Sequence, residues 1–450
     1  MKHGNTIQPE NFEEVVVWYA ITGTWIFYVL GALYVLAPAI GWVLIGWIGW
    51  KAYVQSPQTP PRERLRIPAG VWIWILGMAG MLFALIVGHI TNSLGVGQTI
   101  KSVTGWAKGW ALMAVFFAVG GCLNIRPLIV SRACNRLALQ TLLLLPLFIA
   151  APIIHLPGHL YVSPLQALGG PGPDFFEVQL YGREWEGPAR WRFWTPWSPA
   201  AGFVANVFAI LGMQDRDRKW SACGLLAAVA ICWMSASRLA LISIVITPAI
   251  AFSLARLTRP GTAFASALAT TLVGLLFQPL LDLVGVLKTR FAEARAASSR
   301  VRATLGRIAY QRWKDEAPVF GHGIVVRGPH LVEYMPIGSH HTWFGLLYVK
   351  GLVGFASLLV PMLWTSLEMI IKAQSSRLAR TGLCLIITLW LYTFGENLEI
   401  LVYLFWPGLI VLGIASRQRL RNSVVSFNWD IVGRSSHLAE PQPLAAPASF

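Results

Sequence analysis

Two adjacent histidines, His340 and His341, stand directly after the most basic segment of the chain and directly before a long apolar run. The basic segment, residues 288–341, contains nine Lys or Arg residues and four Asp or Glu residues, a formal charge of +5. Histidine can take a proton from a hydroxyl group near neutral pH, and arginine can hold a phosphate without losing its charge. We therefore expect this junction to carry proton-transfer chemistry on an anionic substrate.

The composition places that junction in a membrane protein. Hydrophobic residues make up 55% of the 450 residues, charged residues make up only 12%, and the mean hydropathy is +0.57. Most of the chain must therefore lie in lipid, which predicts an all-α polytopic membrane protein. The formal charge of +16 is spread over short connections between apolar runs, so we expect membrane lipids and no nucleic acid as partners. The five cysteines support neither a disulfide framework nor a zinc site.

The apolar runs predict about twelve transmembrane helices and two long outer-face loops, at about twenty residues for each crossing. An N-terminus inside the cell places the Lys and Arg clusters of the short connections in the cytoplasm, provided that residues 15–50 form a hairpin of two helices. The predicted divisions are a cytoplasmic N-terminus (1–14), a first transmembrane bundle (15–155), an outer-face Trp-rich loop (156–195), a second transmembrane bundle (196–287), a large basic outer-face loop (288–341), C-terminal transmembrane helices (342–416) and a disordered cytoplasmic tail (417–450).

The large basic loop contains a predicted amphipathic helix at residues 298–314. Apolar residues recur there at helical spacing, and no proline interrupts the pattern before Pro318. Its basic face can lie on the membrane surface and bind lipid headgroups, or it can serve a substrate; the neighbouring histidines favour the substrate. We expect Arg307 and Arg312 on the lipid-facing or solvated part of this helix. Its apolar positions are Val301, Leu305, Ile308 and Ala309.

Short motifs between Ser235 and Gly354 resemble the signature of the O-antigen ligase and O-antigen polymerase superfamily. That signature consists of an arginine, a Pro-x-x-Gly-x-Gly turn, a His-Asn-x-aromatic motif and a Gly-Leu-x-Gly motif. The spacing from Gly351 places the family histidine at His340 and leaves a histidine where the family has asparagine. The similar segments here are Ser235-Ala236-Ser237-Arg238, Arg300 or Arg302, Pro318-Val319-Phe320-Gly321-His322-Gly323, Ser339-His340-His341-Thr342-Trp343-Phe344 and Gly351-Leu352-Val353-Gly354.

The resemblance implies a GT-C-type membrane glycosyltransferase on the outer face of a bacterial inner membrane. The donor would be an undecaprenyl-diphosphate-linked oligosaccharide, and the acceptor a growing polysaccharide or a lipid. His340 or His341 would act as the base, and Arg238 with Arg300 or Arg302 would hold the diphosphate. Guanidinium groups can neutralise a diphosphate leaving group, and no Asp-x-Asp pair stands on an outer loop, so we expect no metal and no cofactor.

Further residues are candidates for contacts with the acceptor or the sugar. Trp343 follows the histidines, and Glu396 and Glu399 lie at the predicted outer turn between the last two helices, where they can pair with the arginines or orient the acceptor. The tryptophans of the first long loop favour an aromatic belt at the membrane surface over a platform for sugars. They are Trp185, Trp191, Trp194 and Trp197.

The favoured function is polymerisation of a capsular, exopolysaccharide or O-antigen repeat unit. Two alternatives are an O-antigen ligase that acts on lipid A core and a transporter or flippase of lipid-linked oligosaccharides. A transporter is expected to show internal repeats and ionisable residues near the middle of the bilayer, and the sequence shows no repeat. An assembly subunit without enzymatic activity is a third alternative.

Overall fold

The structure is a computed structural model that describes residues 7–59, 64–182, 189–279, 281–282, 285–286 and 296–418. It is mostly helical, and we number its helices and strands in chain order. The predictions for Trp185, for residues 288–295 and for the tail from residue 419 lie outside the described residues. The helices are α1 (Phe12–Thr22), α2 (Thr24–Val29), α3 (Leu33–Val54), α4 (Ala69–Thr91), α5 (Val96–Lys108), α6 (Ala111–Cys122), α7 (Pro127–Ile153), α8 (Ser198–Gly212), α9 (Arg218–Met234), α10 (Arg238–Leu254), α11 (Pro260–Leu275), α12 (Ala296–Glu316), α13 (Thr342–Ala373), α14 (Arg377–Thr393) and α15 (Leu398–Arg417).

Within the described ranges, six helical segments are long and apolar enough to cross a membrane. The apolar helices α8, α10 and α11 are shorter. The chain is therefore a helical protein with several segments that can span a bilayer, as its composition predicted, whereas the count of twelve stays a prediction. The six segments are Leu33–Val54, Ala69–Thr91, Val96–Cys122, Pro127–Ile153, Thr342–Ala373 and Leu398–Arg417.

The apolar run at residues 15–50 is interrupted at Gly31, between α2 and α3. Gly31 has a φ of 64°, in the left-handed region that glycine tolerates best. A methyl group there would overlap the Ser163 side chain, whose hydroxyl donates a hydrogen bond of 2.9 Å to the Leu30 carbonyl. The run is therefore divided at this turn into α3 and the two shorter helices α1 and α2, and Ser163 of the Trp-rich loop (residues 156–195) packs on the turn.

The Trp-rich loop packs onto the helical bundle. Its strands β1 (His159–Val162) and β2 (Glu177–Gln179) pair antiparallel. Trp194 is buried and meets Trp25 edge to face, and Trp191 donates a hydrogen bond of 2.7 Å to the Phe148 carbonyl. The prediction of a belt at the membrane surface is therefore wrong for Trp194, because this ring fills the protein interior.

The helix α13 bends sharply at Gly351, whose φ of 61° and ψ of −162° are not helical. The rings of Trp343 and Phe355 lie 5.0 Å apart across the bend. Twelve residues of straight helix would separate them by about 18 Å. The first part of α13, Thr342–Lys350, therefore folds back along the second part, which the continuous apolar run in the sequence did not predict.

The Pro-x-x-Gly-x-Gly turn fills the inside of this bend. The amide of Leu352 donates to the Pro318 carbonyl at 2.9 Å, and the amide of Gly323 donates to the Val349 carbonyl at 2.8 Å. These bonds satisfy backbone groups that the break in the helix leaves open. A methyl group on Gly351 would overlap the Val319 carbonyl, so the Pro-x-x-Gly-x-Gly turn and the Gly-Leu-x-Gly motif can pack this closely because residue 351 is glycine.

The helix α12 covers residues 296–316 and confirms the helix predicted at 298–314. Its apolar side is covered by protein: Leu305 packs against Val332, and Ala309 packs with Tyr348 of α13. The rest of the basic loop and α13 therefore bury the apolar side of this helix. The packing holds α12 beside the first part of α13.

Candidate functional site

A cavity of about 860 Å³ lies between α12, the start of α13 and the end of α14. One wall is formed by α12, and the opposite wall carries both histidines and two phenylalanine rings. The cavity is therefore mainly apolar with cationic groups on one side, a combination that suits a ligand with both a lipid and an anionic part. The wall of α12 comprises Arg302, Ala303, Leu305, Gly306, Arg307, Tyr310, Gln311, Lys314 and Asp315, and the other comprises Gly338, His340, His341, Phe344, Phe394 and Gly395.

The positive charge of Arg302 affects the pKa of His340 and of Glu396. Burial, and next the positive charge of Arg302, lower the pKa of His340 to about 4. His340 is therefore neutral at neutral pH and has a lone pair available to accept a proton. The structure brings Arg302 and His340 together in one cavity, as the sequence predicted for an arginine and a histidine of the basic loop.

His341 has a different place in the site. It is the N-cap residue of α13, and its Nδ1 accepts a hydrogen bond of 3.4 Å from the amide of Phe344. Its ring packs on the Phe344 ring at 4.3 Å, and burial lowers its pKa to about 4. The cap uses the lone pair of Nδ1, so the proton of the neutral His341 ring is on Nε2, and this ring has no lone pair left to accept a proton while the cap is formed.

Glu396 lies behind the cavity, in the turn between α14 and α15. Its side chain is 3% exposed, and its Oε2 accepts a hydrogen bond of 3.0 Å from the Trp197 indole. Burial raises the pKa of Glu396 to about 7, while Arg302 and the Trp197 hydrogen bond oppose that shift. The hydroxyl of Thr342 donates to the Glu396 carbonyl at 2.7 Å, so the turn is fixed to the residue that follows the histidines.

Three other predicted residues do not line the cavity. Arg300 is exposed on α12. Trp343 is buried, donates a hydrogen bond of 2.9 Å to the Thr393 hydroxyl and therefore faces the helical interior. Glu399 lies 3.8 Å from the buried Lys350 ammonium group, which makes it part of a structural ion pair.

Arg238 is exposed in the first turn of α10 and is not among the residues that line the cavity. Leu239, the residue after Arg238, lies near Gly395 of the cavity wall, since a methyl group on Gly395 would lie 3.3 Å from the Leu239 side chain. Arg307 is exposed, which agrees with the expected solvated position, and it also lines the cavity, whereas Arg312 is half-buried.

Arg312 belongs instead to a network that fixes the end of α12. It donates to both carboxylate oxygens of Glu316 and, at 3.0 Å, to the Tyr348 hydroxyl. His322 lies 2.7 Å from the same carboxylate through Nε2 and stacks on the Tyr348 ring at 4.4 Å. Hydrogen bonds from Arg312 and His322 lower the pKa of Glu316 to about 2. This network holds the turn that contains His322 against the end of α12.

Sequence reasoning missed Trp197 as the partner of Glu396 and Thr342 as the link between the two turns. No local pattern pairs these residues, since Trp197 and Glu396 are 199 positions apart in the chain. The pairing depends on the packing of the Trp-rich loop against the last helices. Neither the models of known protein families nor the curated proteins give a match to this chain.

Proposed function

We propose that this chain is a multi-pass membrane glycosyltransferase of GT-C-like fold that polymerises a polysaccharide repeat unit. The donor is an oligosaccharide on a polyprenyl diphosphate, and the acceptor is a sugar hydroxyl on the growing chain. The reaction takes place at the outer face of a bacterial inner membrane, with about twelve helices crossing the bilayer. The observation that carries the proposal is the cavity, in which Arg302 lies beside a neutral His340 among apolar side chains.

In this reaction His340 removes the proton of the acceptor hydroxyl. The hydroxyl oxygen attacks the anomeric carbon of the donor sugar, and the bond from that carbon to the diphosphate oxygen breaks. The diphosphate leaves with the electron pair, and Arg302, together with Arg238, neutralises its charge. A guanidinium group suits this role because its fork of donors binds two phosphate oxygens at once and keeps its charge throughout.

The donor also adjusts the base. A diphosphate bound to Arg302 offsets the positive charge that helps to lower the pKa of His340. Burial, the larger cause of the low pKa, remains, but the part of the shift that Arg302 causes is reduced, so the pKa of the imidazole rises. His340 therefore becomes a stronger base when the donor is in place.

Substitution of the two histidines and of Arg302 tests the proposal. In a complemented deletion strain, His340→Ala should abolish polymer on a gel and cause the lipid-linked donor to accumulate. His341→Asn is the matched control and should retain activity, because asparagine is also a good helix N-cap. Arg302→Lys keeps the charge but loses the fork, and turnover should fall by more than about tenfold, the equivalent of 1.4 kcal/mol. Polymer at the wild-type level in His340→Ala would rule out this mechanism.

A further inference from the structure

The cations of α12 divide into two groups with different surroundings. Arg302, Arg307 and Lys314 line the cavity, and we call these three residues the basic strip. In the described part of the chain, none of the three forms a salt bridge, and Asp315 is the one acidic residue among those that line the cavity. Arg312, on another face of the same helix, is bound to Glu316 and Tyr348.

The basic strip is longer than a diphosphate requires. Arg307 lies about 7.5 Å along the helix axis from Arg302, and Lys314 lies about 10.5 Å beyond Arg307, at 1.5 Å for each residue. Arg302 is the member whose charge acts on His340 and Glu396, so the diphosphate belongs at that end. The other two cations extend from the reaction centre to the far end of the same cavity.

The side chains between these cations have the chemistry of a saccharide site. Tyr310 offers an aromatic ring, Gln311 offers an amide, and Asp315 offers a carboxylate on the same helix face. Aromatic faces and groups that both donate and accept hydrogen bonds suit a ligand rich in hydroxyl groups. Arg307 and Lys314 are exposed and form no salt bridge in the described part of the chain, so a negatively charged ligand gains an attraction that a neutral sugar does not.

We infer that Arg307 and Lys314 bind negatively charged substituents of the donor saccharide, of carboxylate or phosphate type, and so select an acidic repeat unit. The inference rests on the proposed function, because it places the saccharide beyond a diphosphate held at Arg302. An anionic lipid headgroup has similar chemistry but a different source. The saccharide is favoured because the strip lines a cavity that also contains His340, with Tyr310 and Gln311 between its cations.

Two matched donors test this inference with the full-length protein in nanodiscs of neutral lipid. One is a polyprenyl-diphosphate oligosaccharide that contains a uronic acid, and the other is the same molecule with the carboxyl group reduced to a hydroxymethyl group. Arg307→Gln and Lys314→Gln should each weaken binding of the uronate donor by about tenfold, the loss typical of one charged hydrogen bond, and leave the reduced donor unaffected. Arg327→Gln, on an exposed residue outside the cavity, should change neither affinity.

The outcomes separate this inference from the proposed function. Equal affinity for both donors in the wild type, with a loss in Arg302→Lys, would overturn the acidic-sugar inference and leave the glycosyltransferase proposal standing. Equal losses for both donors in the strip variants would also overturn it, since the cations would then hold the diphosphate. A preference that disappears in nanodiscs of anionic lipid would assign the strip to headgroups. Donor binding that is unaffected by Arg302→Lys would count against the proposed function itself.

Discussion

The guanidinium group of Arg302 influences the pKa of two other side chains, those of His340 and Glu396. The pKa of His340 is about 4, below the ordinary value of an imidazole, and the pKa of Glu396 is about 7, above the ordinary value of a carboxyl group. Burial is the main cause for both residues, and Arg302 lowers both pKa values. Any anion that binds to Arg302 therefore favours protonation of both groups, which links donor binding to proton uptake.

Glu396→Gln should change how the stability of the protein depends on pH. The pKa of Glu396 in the folded protein, about 7, is above its ordinary value of 4.5, so ionisation opposes folding. The wild type therefore loses stability as pH rises from about 4.5 to about 7, by up to about 3 kcal/mol. The glutamine variant lacks this loss, so its Tm relative to the wild type should be higher at pH 8 than at pH 4.5. A difference in Tm that is the same at both pH values would contradict the buried, proton-binding state of Glu396.

Residue types could be predicted from the sequence more readily than their partners. Arg302 and His340 were expected to share a site, and the structure places both in one cavity. The role of His341 as a helix cap was not predicted although α13 begins at the predicted residue 342, because histidine is not among the residues preferred at an N-cap. Trp343 follows the motif directly, but helical geometry turns its ring towards Thr393 and the interior.

At the scale of elements, the bend in α13 positions the candidate site. A helix that continued straight through Gly351 would carry His340 away from the turn that holds Glu396. The fold-back instead brings Thr342 against that turn, and α12 packs along the returning segment. The glycine at the bend is therefore a requirement of the site as well as of the fold.

Gly351→Ala should destabilise the protein and reduce activity together. A φ of 61° with a ψ of −162° is nearly restricted to glycine and costs about 1–3 kcal/mol for other residues, and the added methyl group would also overlap the Val319 carbonyl. Thermal unfolding in detergent should show a lower Tm. Gly46→Ala in α3 is the control, since no atom lies within 4 Å of the position that its methyl group would take and alanine favours a helix. An unchanged Tm in Gly351→Ala would show that the bend is not required.

The elements were predictable to different degrees. The amphipathic pattern predicted α12 within two residues at each end, because a period of 3.6 residues is a local property. The bend at Gly351 was not predicted, since the apolar run continues through it and only the docked Pro318 turn stabilises the break. Long-range docking of this kind leaves no periodic signal in the sequence.

At the scale of the whole molecule, the bundle is held together by close helix contacts around α15. This helix is buried along almost its entire length. Gly413 lies so close to α6 that a methyl group there would overlap the Phe117 carbonyl, and Gly120 makes the reciprocal approach to Ile410. Small residues allow such contacts between apolar helices, where the lipid itself offers no hydrophobic driving force.

The predicted orientation can be tested with single cysteines at opposite ends of α13. Arg327 belongs to the basic loop next to the bend, and Arg377 begins α14 just after α13 ends. The second part of α13, Leu352–Ala373, is about 33 Å long, enough to cross the hydrocarbon core. A membrane-impermeant thiol reagent should label Arg327→Cys and not Arg377→Cys in intact spheroplasts, with the wild type as the background control. The reverse pattern would place the cavity in the cytoplasm and contradict an outer-face reaction.

The walls of the cavity come from distant parts of the chain, and this has a consequence for biosynthesis. Translation produces Arg302 and His340 well before Phe394, Gly395 and Glu396, because the chain is made from its N-terminus. The nascent protein therefore has the reactive side chains before it has the wall and the turn that complete their surroundings. The cavity is complete only after the segment that follows α14 has been made, so under the proposed function an unfinished chain is unable to consume the donor.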